Sequence, residues 1–409
     1  MSRLLLCLIA LLCSVGSLRA QEWNRFRGPN GSGISETKTI PTSWGDEDYL
    51  WKVELPGVGH GSPVAWDQSV YVNCALDDGA RRILQCRSML NGSLIWETEF
   101  ESTTHKHHKF NSYATSTPTI DGDHIYSAWG TPSELKVVAV RHDGSVAWES
   151  DNLGPVVGGH GFGTSPIVHG NLVLIANDTE KKSSLLALDR MTGKVVWETP
   201  RQGGRLNFAT PCIFTNGDSE QAIFVAWPIG VTAVDVKTGQ LVWEKACFDA
   251  SKGQRAVSSP SVYQDKILAT SAFANNPKHL VVLRPEQSDA QEVFRVDHST
   301  VPHIPSLLAY KERVYAWSDK GIASCYDINS GELVWRERVG GNFFSSPICV
   351  NGIIYCIDAD GICVVTRAGD EYEELARVDL GEATRATPAV AQGKMFLRTF
   401  SHLMAVGQE

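Results

Sequence analysis

Residues 187–197 read ALDRMTGKVVW and residues 233–243 read AVDVKTGQLVW, two versions of one unit. In each version an aspartate precedes a glycine by four positions, and a tryptophan follows that glycine by four. The pattern predicts a β-hairpin in which one strand ends at the aspartate, glycine takes a positive-φ turn position, and the next strand carries the tryptophan inward. The glycine-to-tryptophan spacing occurs five times, at Trp96, Trp148, Trp197, Trp243 and Trp335.

A second signal, a proline that opens a short apolar strand, lies roughly thirty residues before each hairpin. It occurs eight times, at Pro63, Pro118, Pro166, Pro211, Pro260, Pro305, Pro347 and Pro388. Successive prolines are 41 to 55 residues apart, which is the spacing of four-stranded propeller blades. One such blade cannot bury both of its faces, so the pattern predicts blades that stack on their neighbours.

The last repeat indicates how the ring closes. Too few residues follow Pro388 for a fourth strand, whereas residues 49–55 (YLWKVEL) resemble the tryptophan strand of residues 240–245. We therefore expect an all-β, eight-bladed β-propeller of four-stranded antiparallel blades, closed by the N-terminal strand. We expect Phe294 and Leu375 to replace the tryptophan in the fifth and seventh blades. The predicted docking residues are Trp51, Trp96, Trp148, Trp197, Trp243 and Trp335.

The N-terminal residues predict export. Arg3, an apolar run from Leu4 to Val15 and Ala20 match a cleavable secretory signal peptide. No lipobox is evident, and no later run is long enough for a membrane span. We therefore expect a periplasmic or secreted monomer, with a signal peptide over residues 1–20, a strap across the propeller over residues 21–48, and the propeller over residues 49–409.

The charge balance argues against one class of partner. Loss of the signal peptide removes two arginines and no acidic residue, which takes the net charge from −9 to −11. A nucleic-acid-binding surface is disfavoured by this excess of acidic groups.

These units resemble the quinoprotein-type propeller repeat, named for pyrroloquinoline quinone (PQQ), whose docking signature is Ala-x-Asp-x-x-Thr-Gly-x-x-x-Trp. Residues 23–33 (WNRFRGPNGSG) resemble the N-terminal segment of exported PQQ-like propeller proteins of planctomycete-type bacteria. Resemblance to the quinoprotein dehydrogenases would imply an adjacent cysteine pair, a calcium ion held by Glu, Asn and Asp, and a catalytic Asp. This chain has no adjacent cysteines. The BamB-like branch implies a propeller of similar length that binds partner proteins and catalyses nothing. Length and cysteine spacing favour this second branch, although BamB itself carries a lipobox.

Polar side chains precede most of the opening prolines, and the loops that hold them should meet at one mouth of the central channel. The predicted ligand-binding residues are His60, Asn111, Tyr113, His160, Arg205, Asn207, Arg255, His303, Asn342 and Arg385, joined by His105, His107 and His108 from the first inter-blade loop. This convergence predicts a mouth that binds an anionic or polyhydroxylated ligand. The alternative is that these groups cap strand ends and satisfy loop carbonyls.

Metal and disulfide chemistry receive weaker support. His105, His107, His108 and His160 could meet around a metal, but no carboxylate or cysteine completes a recognised spacing, so no metal site is predicted. Two cysteine pairs, Cys74 with Cys86 and Cys356 with Cys363, lie across tight turns. Each pair fits either a cross-strand disulfide or two buried thiols.

Three functions follow from these observations. The favoured one is a non-catalytic, exported propeller that binds an envelope protein or a small ligand at the polar and basic mouth, with no cofactor and no catalytic residue. The alternative is a PQQ-dependent alcohol or sugar dehydrogenase, with calcium. A weaker alternative is a carbohydrate-binding propeller.

Overall fold

The computed structural model describes residues 22–273 and 278–408, so the predicted signal peptide lies outside the described residues. Strands dominate this part of the chain, and its helical segments are three single 3-10 turns, Pro29–Gly31, Asp46–Asp48 and Asp77–Gly79. Within these residues no helix has the length and apolar character needed to cross a membrane.

The strands follow one another in short succession. They begin with β1 Ile34–Ser35, β2 Trp51–Glu54, β3 Val64–Trp66, β4 Ser69–Leu76, β5 Arg81–Ser88, β6 Leu94–Glu101, β7 Thr119–Ile120, β8 His124–Gly130, β9 Leu135–Arg141, β10 Val146–Glu149, β11 Ile167–His169, β12 Leu172–Asn177, β13 Ser183–Asp189, β14 Val195–Arg201, β15 Cys212–Asn216, β16 Ser219–Ala226, β17 Gly230–Asp235 and β18 Leu241–Lys245. They continue with β19 Ser261–Tyr263, β20 Lys266–Ser271, β21 His279–Pro285, β22 Ala290–Asp297, β23 Leu308–Tyr310, β24 Arg313–Trp317, β25 Ile322–Asp327, β26 Leu333–Arg338, β27 Ile348–Val350, β28 Ile353–Ile357, β29 Ile362–Arg367, β30 Glu373–Asp379, β31 Ala389–Ala391, β32 Lys394–Arg398 and β33 His402–Gly407.

These strands form eight sheets, and the predicted eight-bladed propeller is confirmed. Blades 1 to 6 are consecutive sets of four strands from β3 to β26; blade 7 is β27–β30 with β1 added in parallel; blade 8 is β31–β33 with β2. First strands of neighbouring blades contact one another, so they surround the channel. The hydrophobic clusters span adjacent blades, for example β8–β10 with β12 and β13, which places the core between blades.

Strand β2 closes the ring as expected. Trp51 pairs with Ala405 and Glu54 with His402 in an antiparallel ladder. The N-terminal strand is therefore the fourth strand of the last blade, and the first and last parts of the chain share one sheet.

The tryptophans dock each blade on the next one. The indole Nε1 donates to a turn carbonyl of the following blade in five cases: Trp51 to Met89 at 3.1 Å, Trp96 to His142 at 2.8 Å, Trp148 to Arg190 at 2.9 Å, Trp197 to Val236 at 2.9 Å and Trp335 to Gly369 at 3.0 Å. Trp243 differs, because its Nε1 donates to Gln221 Oε1 of its own blade at 2.9 Å.

The two blades without this tryptophan differ from one another. Phe294 takes the position in blade 5, where it pairs with Val282 beside a β-bulge and packs on Gly331 of blade 6. In blade 7 the expectation for Leu375 is wrong. The residue that pairs beside the bulge is Ala376, opposite Val365, because the bulge lies one residue later than the sequence pattern suggested.

The cysteines distinguish between the two alternatives that the sequence left open. All eight cysteines of the described residues are free and buried. Ile357 pairs with Cys363, which leaves Cys356 opposite Val364, and Cys74 pairs with Ile83 rather than lying opposite Cys86. Neither proposed pair is directly opposed across its hairpin, so the thiol alternative holds for both.

A closed ring of hydrogen bonds joins the eight blades at the channel. One hydroxyl per blade accepts the backbone N–H of the equivalent residue in the preceding blade, at 2.9 to 3.3 Å. We call this set the hydroxyl ring: Ser62, Thr117, Ser165, Thr210, Ser259, Ser306, Ser346 and Thr387. In blade 6 the member is Ser306, which follows Pro305, whereas each of the other seven members directly precedes its proline. Thr387 N–H donates to Ser62 Oγ at 2.9 Å and completes the circle.

The N-terminal segment plugs the channel on one side of this ring. Trp23 is fully buried and forms a bridge with Ala65 of blade 1. Arg25 donates to the Pro211 carbonyl of blade 4, and Arg27 donates to Ser261 Oγ of blade 5 at 3.0 Å. Strand β1 then leaves the channel alongside β27 of blade 7. The plug therefore contacts blades all around the ring.

Candidate functional site

The channel holds a cavity of about 800 Å³ on the side away from the plug. The hydroxyl ring lines it, and Phe26, which lies between the two plug arginines, also reaches it. We call this space the mouth cavity. Because the plug occupies the far side of the hydroxyl ring, the ring and Phe26 form the floor of the mouth cavity. The loops that enter the first strands form its walls.

A second layer of side chains lies above the hydroxyl ring. The residue two positions before each ring member lines the cavity in all eight blades. Residues i and i+2 of an extended segment face the same side, which explains the shared orientation. This layer, the upper ring, consists of His60, Thr115, Gly163, Phe208, Val257, Ile304, Phe344 and Arg385.

The structure brings together eight of the thirteen residues that the sequence nominated. The residues that line the mouth cavity are His60, His108, Asn111, His160, Arg255, His303, Asn342 and Arg385. The five nominated residues that do not line it are His105, His107, Tyr113, Arg205 and Asn207.

Arg205 and Asn207 contact residues of the cavity wall without lining the cavity themselves. The Arg205 guanidinium lies between Trp227 and Phe273, 5.6 and 5.4 Å from the two ring centroids. Asn207 Oδ1 accepts the backbone N–H groups of Trp227 and Ala256, at 3.1 and 2.9 Å. Asn207 therefore fits the alternative in which a loop polar group satisfies backbone partners.

His105, His107 and Tyr113 form a separate cluster. The two imidazoles pack edge-on against the Tyr113 ring, with centroids 5.1 and 4.6 Å away. The Arg82 guanidinium lies 4.9 Å from the same ring centroid. Across the described residues, no group of three or more His, Cys, Asp or Glu side chains is arranged to hold a metal ion.

The loop between blades 1 and 2 crosses part of the mouth. Phe110 at its tip meets Phe344 of blade 7, with ring centroids 5.0 Å apart. His108 stacks on His160 of the loop before blade 3, also at 5.0 Å and with an interplanar angle of 11°. The loop thus brings aromatic groups from distant blades together over the cavity.

Three histidines of the cavity, His60, His160 and His303, have pKa values low enough to leave them neutral at pH 7. Burial, followed by the charges of Arg398 and Arg385, lowers the pKa of His60 to about 3. Burial and the charge of Arg255 lower the pKa of His160 to about 4. His303 has a lowered pKa mainly because it is buried. These imidazoles therefore act as hydrogen-bonding and aromatic groups rather than cations.

Arginine and lysine supply the positive charge of the mouth. The Arg385 guanidinium lies 4.4 Å from the Phe344 ring centroid, and Arg255 and Lys320 also line the cavity. The lining carboxylates are Asp319 and Asp360. Asp319 is engaged already, because it pairs with Lys278 at 3.3 Å and accepts the backbone N–H of His303 at 2.6 Å.

The cavity does not fit a quinone held with calcium. Calcium takes six to eight oxygen ligands, several of them carboxylates, whereas one of the two lining carboxylates, Asp319, is already paired with a lysine. No two cysteines of the chain are adjacent, so the disulfide of the quinoprotein dehydrogenases cannot form here.

Sequence inspection missed the aromatic part of the site. Phe26, Phe110, Phe208, Phe273 and Phe344 all line the cavity. A usable signal exists for two of them, because Phe208 and Phe344 stand two residues before a hydroxyl-ring member, as His60 and Arg385 do.

Comparisons with known proteins agree with this architecture. A family profile described as outer membrane protein assembly factor BamB matches residues 45–210, 81–307 and 286–373. BamB of Yersinia pestis is 23% identical over 309 residues, which cover 74% of this chain and 63% of that relative. The match thus spans less than two thirds of the relative's length.

Solved structures share the fold at low identity. BamB from Moraxella catarrhalis has a TM-score of 0.62 at 14% identity, with 88% of this chain and 98% of that chain covered. A europium-containing methanol dehydrogenase has a TM-score of 0.73 at 12% identity, with 95% and 98% covered. These likenesses concern the fold. The family profile covers most of the chain, and the chain belongs to the family of outer membrane protein assembly factor BamB.

Proposed function

We propose that this protein is a non-catalytic binding propeller of the bacterial cell envelope, which takes a segment of a partner protein into its mouth cavity. Family membership supports the general role, because the family description names an assembly factor. The single observation that carries the proposal is the mouth cavity itself, with its volume of about 800 Å³ and its mixed aromatic and basic lining.

The chemistry of the lining suits a peptide segment. Sites for ligands are mostly apolar with a few placed polar groups, and five phenylalanines here stand beside three neutral histidines and two arginines. Phe110 and Phe344 offer aromatic surface at the entrance. Aromatic and arginine side chains are the groups that most often dominate binding energy at protein interfaces.

Photo-cross-linking from inside the cavity tests the proposal. A photoreactive phenylalanine at position 344 should form one dominant cross-link to a protein in cells of the natural host. The matched control places the same residue at position 241, where Leu241 is 57% exposed on the outer strand of blade 4. Purified partner should then bind the wild type and bind Phe344→Ala at least tenfold more weakly, a loss that hot-spot residues commonly show, with Leu241→Ala unchanged.

Two results would overturn the proposal. One is equal cross-linking from positions 344 and 241, or none from position 344. The other is quinone-dependent dye reduction with an alcohol or sugar after addition of PQQ and calcium.

A further inference from the structure

Two plug arginines are buried, and no carboxylate of the described residues forms an ion pair with either of them. Arg25 is 5% exposed and Arg27 is 1% exposed. Their recorded partners are uncharged, and include the Pro211 carbonyl for Arg25 and the Leu307 carbonyl, at 2.8 Å, for Arg27. Burial lowers the pKa of Arg25 to about 10 and that of Arg27 to about 9, which leaves both protonated at pH 7. A buried cation without a counter-charge is costly unless an anion lies close by.

Each of these arginines also has a spare donor. The Nε atoms of Arg25 and Arg27 are buried and have no hydrogen-bond partner within the part of the chain that the structure describes. Such orphaned donors on charged groups are rare in folded proteins. Arg255 and Arg385 of the cavity walls also have a buried Nε without a partner among the described residues, so the plug and the walls both retain N–H donors.

The guanidinium groups of the plug bind carbonyls that adjoin the hydroxyl ring. Pro211 and Leu307, whose carbonyls bind the guanidiniums, each follow a ring member by one residue. Every ring oxygen already accepts a backbone N–H. Over residues 22–273 and 278–408 no acceptor is recorded for the hydroxyl hydrogens, so each can donate to a group in the cavity.

The charged side chains of the cavity walls also favour an anionic ligand. Arg255, Arg385 and Lys320 line the cavity, against Asp360 and the already paired Asp319. The whole chain, in contrast, has a net charge of −9. Positive charge is thus concentrated around the channel of an acidic protein, which attracts anions into it.

We propose that the floor of the mouth cavity is an oxyanion site, in which hydroxyl-ring side chains donate hydrogen bonds to a carboxylate or phosphate group while Arg25 and Arg27 supply positive charge from beneath. This inference goes beyond the proposed function, because it holds for a free anion as well as for an anionic group on a partner.

Calorimetric titration with inorganic phosphate, at ionic strength held constant with sodium chloride, tests the site. We expect saturable binding of one phosphate by the wild-type protein. Acetate provides a second arm without an aromatic ring: tighter binding of acetate favours a carboxylate as the natural group, and tighter binding of phosphate favours a phosphoryl group. Absence of saturable binding by either anion overturns the inference.

Two buried arginines provide a matched pair of variants. Arg27→Met should weaken anion binding about tenfold, the scale of one charge–charge attraction inside a protein. Arg82→Met should leave the affinity unchanged, since Arg82 is also buried and has no ion pair with a described carboxylate, but contacts Tyr113 outside the mouth cavity. Equal loss in both variants would contradict the assignment.

A third variant keeps the test decisive if Arg27→Met does not fold. Thr210→Val removes one ring hydroxyl at nearly constant volume and should weaken phosphate binding severalfold. Thr215→Val, on an exposed part of β15, is its control and should not. Unchanged affinity in Thr210→Val would overturn the role of the ring.

Discussion

Replacement of Gly239 by alanine should destabilise the protein through the docked indole of Trp197. Gly239 has a φ of +69°, and an added Cβ would lie 2.5 Å from Trp197 Cδ2, far inside van der Waals contact. The indole cannot simply move away, because its Nε1 donates to the Val236 carbonyl at 2.9 Å and its side chain is 7% exposed. The alanine must therefore displace the contact between blades 3 and 4.

The expected loss of unfolding free energy in Gly239→Ala has two parts. A non-glycine residue in the left-handed region costs about 1–2 kcal/mol, and overpacking of a tight contact costs a further 1–3 kcal/mol or so. We expect Gly239→Ala to lose about 2–5 kcal/mol of unfolding free energy. Gly217 is the matched control: its φ is +59°, but nothing lies within 4 Å of an added Cβ, so Gly217→Ala should lose only the first part.

Urea unfolding followed by far-ultraviolet circular dichroism measures this difference, provided that both variants keep the wild-type slope. A double variant sharpens the test. In a Trp197→Ala background, Gly239→Ala should cost less than it does in the wild type, because the indole contact is gone and only Thr199 Oγ1 remains close to the added Cβ, at 2.9 Å. Equal losses for Gly239→Ala and Gly217→Ala in the wild-type background would refute the docking argument.

Three further predictions concern the histidines, the thiols and the hydroxyl ring. Burial lowers the pKa of His60 from 6.5 to about 3 in the folded state, so the unfolded chain binds more protons than the folded chain below pH 6.5, and stability should fall as the pH drops from 6.5 towards 3. His60→Phe should flatten the dependence of Tm on pH over that range. An unchanged slope would count against the buried neutral imidazole. The eight cysteines between Cys74 and Cys363 are buried and free, so a thiol reagent should label them only after denaturation, and a native mass lower by two hydrogens per pair would reveal a disulfide instead. Thr210→Val leaves the Ser165 N–H without its acceptor and should cost about 1–3 kcal/mol in urea unfolding, whereas Thr215→Val should stay close to the wild type.

The sequence was sufficient to predict the ring and its closure. Eight opening prolines and the hairpin units define blades by spacing, and the missing fourth strand after Pro388 leaves Trp51–Glu54 as its replacement. Periodicity of this kind survives local variation because each blade repeats the same backbone hydrogen-bond pattern.

Register was harder to predict from the same pattern. In blade 6 the ring hydroxyl belongs to Ser306, which follows Pro305, because the ring requires an oxygen at a fixed backbone position and not a proline. Ala376 rather than Leu375 pairs beside the bulge of blade 7, and Ile357 rather than Cys356 pairs with Cys363. Each expectation is wrong by one residue. Bulges and turn lengths decide such shifts, and neither follows from residue type alone.

The site was only partly predictable for a related reason. His60 and Arg385 were found because they are polar, while Phe208 and Phe344 occupy the equivalent position and resemble ordinary core residues in the sequence. The plug could not be anticipated at residue level, since Arg25 and Arg27 bind carbonyls that are distant in the chain.

Hydrogen exchange at strand β2 tests the central claim, a propeller closed by its own N-terminal strand, most directly. If Trp51–Glu54 pairs with β33 as in the structure, its ladder amides should exchange as slowly as those of β14, the corresponding outer strand of blade 3. Exchange of the Trp51–Glu54 amides at the rate of an unstructured peptide, with β14 still protected, would contradict the closed ring.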